Sequence, residues 1–75
     1  MRFRQLQSTW LDAVAYDPLT RTLTVRYRSG EMYRYLDVPH RVYEAFLVAE
    51  SPGAYYNEFI RDRGYPSMPV RASAE

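Results

Sequence analysis

Residues 23 to 38 read Leu-Thr-Val-Arg-Tyr-Arg-Ser-Gly-Glu-Met-Tyr-Arg-Tyr-Leu-Asp-Val, the densest run of strand-forming side chains in the chain, with a turn signal at its midpoint. Alternating side chains on either side of such a turn predict a β-hairpin. A three-residue loop Arg28-Ser29-Gly30, with Gly30 left-handed as the bulge residue, sets Tyr27 opposite Glu31, Val25 opposite Tyr33 and Leu23 opposite Tyr35. A two-residue loop would place Arg34 beside Val25, and an unpaired guanidinium there costs several kcal/mol. The longer loop is therefore expected. It collects Leu23, Val25, Tyr27, Tyr33 and Tyr35 on an inner face and leaves Thr24, Arg26, Met32, Arg34 and Leu36 outside.

Working outward, Trp10 to Tyr16 forms the preceding strand, with Val14 and Tyr16 inward and Ala13 and Ala15 on the other side. Asp17-Pro18-Leu19-Thr20 has turn chemistry and joins it to the strand from Thr22. Residues 1–9 alternate weakly and are read as an arm or an extra edge strand. Beyond Val38-Pro39, with Asp37 expected to cap, the apolar residues Val42, Tyr43, Phe46, Leu47 and Ala49 recur at helical spacing, predicting a helix over 40–50. Ser51-Pro52-Gly53 breaks it and starts a second helix, with Tyr55 and Phe59, and Tyr56 and Ile60, at i, i+4; Gly64 ends it. The prolines at 66 and 69 predict an extended, poorly ordered tail. The expected fold is α+β: a three-stranded antiparallel sheet, four-stranded if the arm joins, followed by two helices on one face. The divisions are 1–9 arm or edge strand, 10–65 domain and 66–75 flexible tail. Tyr16, Tyr33, Tyr35, Val42, Phe46, Tyr56 and Ile60 are assigned to the core.

Composition narrows the function classes. A chain of 75 residues makes one small domain that buries only about 60% of its unfolded surface. It has no cysteine, so neither disulfides nor thiolate zinc sites supplement the core, but 16% of its residues are aromatic, eight of them tyrosine. No apolar run approaches the ~20 residues of a membrane span, and a cytoplasmic, non-membrane protein is expected. The formal charge is only +1, yet all ten basic residues are arginine. Arginine suits phosphate recognition and stacking on bases, although the absence of lysine also fits a GC-rich coding bias.

The run Ala15-Tyr16-Asp17-Pro18, Arg21-Thr22-Leu23, Arg28-Ser29-Gly30, Tyr33-Arg34-Tyr35, Val38-Pro39, Val42-Tyr43-Glu44-Ala45 and Gly53-Ala54-Tyr55-Tyr56-Asn57 resembles the KTSC domain. That module is named for its place at the C-terminus of some lysyl-tRNA synthetases, and it also stands alone in bacterial proteins. The resemblance runs from about Ser8 to Tyr65, and the family's central tyrosine pair matches Tyr33 and Tyr35. It implies a role in RNA binding through the synthetase connection. The chain departs from the family at Tyr65-Pro66-Ser67-Met68-Pro69, where members often carry further aromatic and basic residues.

Catalytic chemistry has little to work with. His40 is the only histidine, Glu58 and Asp62 are spaced as a solvated helix pair, and the three glycines make no phosphate loop. Neither an enzyme nor a cofactor or metal site is expected. A non-catalytic binding module is expected instead, gripping RNA through Arg26 and Arg34 on the outer sheet face, Arg28 at the hairpin loop and Arg21 at the other end, with Tyr55 and Asn57 at a rim. The alternative is a protein-interaction or self-association module that uses Met32, Leu36 or a free sheet edge.

Overall fold

The second hairpin has the register expected of a bulged three-residue loop. In the computed structural model, which describes residues 2–70, β3 (Thr22–Tyr27) pairs with β4 (Met32–Tyr35) so that Leu23 faces Tyr35 and Val25 faces Tyr33. The Tyr27 amide donates to the Glu31 carbonyl at 2.8 Å, and Gly30 adopts φ +100°, a conformation open to glycine without a steric penalty. At the first turn the Asp17 Oδ1 accepts from the Leu19 amide at 3.0 Å, the predicted side-chain closure. That turn joins β2 (Leu11–Asp17) to β3, with Tyr16 opposite Leu23.

The sheet is wider than the sequence reading allowed. It has five antiparallel strands in chain order, because both ends add an edge: β1 (Phe3–Gln5) lies along β2, and β5 (Ser67–Val70) lies along β4. The segment 67–70, expected as part of a poorly ordered tail, is thus a strand, and Leu36 donates its amide to the Pro66 carbonyl at 2.9 Å. The cause lies in β4, whose second edge would otherwise present a row of unpaired backbone groups. Proline at 69 is compatible with this because β5 is itself an edge strand. The remainder of the expected flexible tail, residues 71–75, lies outside the described residues.

Between β4 and β5 the chain forms the helical layer. Helix α1 (His40–Leu47) is shorter than the predicted 40–50 span and starts from Pro39 without a side-chain cap. Asp37 instead takes φ +60°, so the expected cap does not form. Helix α2 (Pro52–Tyr56) starts as predicted, with the Ser51 Oγ accepting from the Ala54 amide at 3.4 Å, and runs on into a π-helical turn, Asn57–Arg61.

These helices press Phe46, Tyr56 and Ile60 onto Leu11, Val14, Tyr16, Leu23, Val25 and Tyr35, with Leu6 closing one end. Val42 and Tyr33 pack at the margin of this core, half-buried. Tyr56 is 0% exposed, and its hydroxyl lies between those of Tyr27 at 2.8 Å and Tyr35 at 2.6 Å. A second buried hydroxyl, on Tyr16, donates to the Val38 carbonyl at 2.6 Å. Each buried phenol therefore carries its polar end to a partner, as burial requires.

Burial raises the pKa of Tyr16, Tyr35, Tyr55 and Tyr56, most strongly at Tyr56, because an ionised phenolate would be desolvated. In the unfolded chain tyrosine ionises near 10.0. Above that pH the unfolded state holds fewer protons than the folded one, so stability falls as pH rises, Tyr56 alone contributing a slope of up to ~1.4 kcal/mol per pH unit. Urea unfolding at about pH 8 and about pH 11 checks this, a flat profile being the contrary result. Tyr56→Phe leaves the Tyr35 hydroxyl buried without its partner and is expected to lower stability by about 1–3 kcal/mol at neutral pH while flattening the alkaline decline.

Candidate nucleic-acid interface

With both helices on the inner face, the opposite face of the sheet has no covering layer among the described residues. Its side chains fall into cross-strand rows that follow from the register. One row runs Phe3, Ala15, Thr24, Arg34, Met68, and the next Gln5, Ala13, Arg26, Met32, Val70. In the first row small residues occupy the middle and long ones the flanks, so Thr24, expected outside, is only 3% exposed while Phe3 and Met68 remain 38% and 42% exposed. The Thr24 hydroxyl is buried without a hydrogen-bond partner among the described residues.

The two arginines expected here are present but not equivalent. A bulge in β2 displaces Asp12 from the ladder, and its carboxylate receives the Arg26 Nε at 2.8 Å while the guanidinium lies 4.5 Å from the centroid of the Phe3 ring. Arg26 is thus neutralised locally. Arg34, diagonal to it on β4, has no ion-pair partner among the described residues. It lines a groove of about 340 Å³ with Asp17, Thr20, Thr22, Leu36 and Met68. Arg21 adjoins this end of the sheet, exposed in the turn with φ +58°, and its carbonyl accepts from the Val38 amide at 2.9 Å.

The other three expected site residues lie elsewhere. Arg28 donates through Nε to the Ser8 carbonyl at 2.9 Å and borders a separate cleft of about 720 Å³ between residues 5–10 and the α1–α2 junction. Tyr55 donates to the Val42 carbonyl at 3.1 Å and packs between Phe46 and Phe59, which makes it a strut of the helical layer. The Asn57 Oδ1 accepts from Arg61 at 3.3 Å, one helical turn away.

The residues that sequence reasoning missed at the groove are Asp17, Thr20, Thr22 and Met68. The first three were read as turn and strand chemistry, and only the pairing of β5 brings Met68 alongside Arg34. The cleft was missed altogether. Its floor is the indole of Trp10, whose edge-on contacts with Tyr27 and Tyr56 hold it against α2 at centroid distances of 5.5 and 5.6 Å. Gly53 is required there, since a Cβ would fall on the Trp10 Nε1.

A five-stranded meander carrying its helices between the fourth and fifth strands, with one sheet face uncovered, defines a small α+β domain. Residues 7–65 match the model of the KTSC domain, and the chain belongs to that family. An uncharacterised protein of Stutzerimonas stutzeri is 40% identical over 60 residues, 80% of this chain and 84% of that one. A lysine–tRNA ligase of a Nostoc species is 38% identical over 55 residues, 73% of this chain but only 10% of the ligase. The fold is also that of a KTSC domain protein from Yersinia pestis, with a TM-score of 0.86 and 27% identity over 93% of this chain and 97% of that one. Among the described residues no helix is long and apolar enough to cross a membrane.

Gly53→Ala drives a methyl group into the indole and is expected to destabilise the fold by about 1–3 kcal/mol. The urea midpoint and the Trp10 fluorescence report it together, and wild-type values for both would contradict the packing described.

Proposed function

We propose that the chain is a non-catalytic RNA-binding module whose ligand is a single strand laid across the uncovered sheet face. The observation that carries this reading is Arg34, a guanidinium without an acidic partner among the described residues, on a face that also exposes the ring of Phe3 and the thioether of Met68. Single strands bind where backbone charge is neutralised beside surfaces on which bases can stack. The relationship to a segment of lysine–tRNA ligases supports the same class of ligand and a cytoplasmic setting. Assembly through a sheet edge is the weaker reading. The β1 edge is three residues long and β5 carries Pro69, features that discourage edge-to-edge pairing.

Few cations face the ligand, so the salt dependence is modest. Two or three phosphate contacts give a slope of about −0.7 per contact, or roughly a 7- to 20-fold loss of affinity between ~50 and ~200 mM salt. Fluorescence anisotropy with a labelled single-stranded RNA measures it. Arg34→Ala is expected to weaken binding and to reduce the slope by about 0.7. Asp12→Asn releases Arg26 and is expected to strengthen binding. Absence of binding at the lower salt would refute the proposal.

A further inference from the structure

The groove at Arg34 has a composition that the need for solubility does not explain. Asp17 and Arg34 both line it, yet they form no ion pair with each other or with any other described residue. One Asp17 oxygen, Oδ1, takes the Leu19 amide at 3.0 Å, which leaves Oδ2 as an acceptor. The Thr20 hydroxyl donates to that of Thr22 at 2.9 Å, so the Thr22 hydroxyl proton is available in turn. Leu36 and Met68 supply apolar walls. Thr24, beside Arg34 in the same cross-strand row, keeps its hydroxyl buried without a partner. The groove thus offers an anionic acceptor and a forked cationic donor between surfaces on which a planar ring can rest.

We infer that this groove is the base-reading pocket of the RNA-binding face and that it takes guanine; the inference rests on the RNA-binding reading above. Guanine presents two adjacent donors, N1–H and the 2-amino group, along one edge, and two adjacent acceptors, O6 and N7, along another. The first pair can converge on the free Asp17 Oδ2 and the second suits the arginine fork. Adenine turns the lone pair of N1 toward the carboxylate. Cytosine does the same with N3, and uracil has a single donor flanked by acceptors. Reading unstacked bases on both edges is the usual route to sequence preference in single-stranded RNA. At about 340 Å³ the groove falls within the size range of small-ligand pockets.

The test uses uridine hexamers carrying one central guanosine, adenosine, cytidine or inosine, with unsubstituted uridine hexamer as reference, titrated against the whole chain at about 50 mM salt. The guanosine oligomer is expected to bind about 5- to 150-fold more tightly than the reference, the discrimination of one bidentate base contact. Inosine, which lacks the 2-amino group, falls between them. Asp17→Asn keeps the acceptor for Leu19 and is expected to abolish the preference, with an unchanged urea midpoint as evidence of folding. Equal binding of all the oligomers overturns the guanine pocket and leaves the RNA-binding reading intact. A guanosine preference that survives Asp17→Asn also overturns it, by removing the assignment to this groove. Failure of every oligomer to bind overturns both.

Discussion

The Tyr56 hydroxyl, held between those of Tyr27 and Tyr35 at 2.8 and 2.6 Å, joins the helical layer to two neighbouring strands at one point. A domain of this size has little hydrophobic core with which to enforce a single packing of helices on a sheet. Three linked phenols, two of them buried, supply that enforcement, because separating them leaves the Tyr35 or Tyr56 hydroxyl buried and unpaired. Trp10 and Phe46 pack around the Tyr56 ring, and Trp10 in turn demands glycine at 53. The helices are committed to one face by this arrangement, and the other face is left uncovered by the same stroke.

On the uncovered face, charge is distributed unevenly. Asp12 reaches Arg26 because a bulge lifts it out of the ladder, while Arg34, one strand away, has no ion-pair partner among the described residues. The groove beside Arg34 thus holds one unpaired cation and one unpaired carboxylate, Asp17, among the described residues. A net charge of +1 gives little long-range attraction, so any preference among ligands has to come from close contacts.

What the amino-acid order disclosed and what it hid separate along a physical line. The register of β3 on β4 was readable because one loop length alone keeps Arg34 out of the core, and the helices were readable from the spacing of Phe46, Tyr56 and Ile60. Both depend on near neighbours. The pairing of Ser67–Val70 with β4 depends on a strand more than thirty residues earlier, and the two prolines there argue locally for a loose end. Arg28 looked like a partner of Arg34 but is drawn to the carbonyl of Ser8, twenty residues away. The π-helical turn at Asn57–Arg61 leaves the i, i+4 apolar pattern intact and so gave no signal. At the site, Arg26 and Arg34 could be placed from alternation, whereas Met68 needed the fifth strand.

That fifth strand bears on the order in which the molecule is made. The pairings among β1 to β4 close short loops, whereas β5 can zip onto β4 only after α1, α2 and the π-helical turn have brought the chain back, and non-local closure of this kind comes late. Met68 belongs to β5 and lies beyond the span 7–65 that matches the family model. The groove beside Arg34 therefore has its Met68 wall only once β5 has paired with β4.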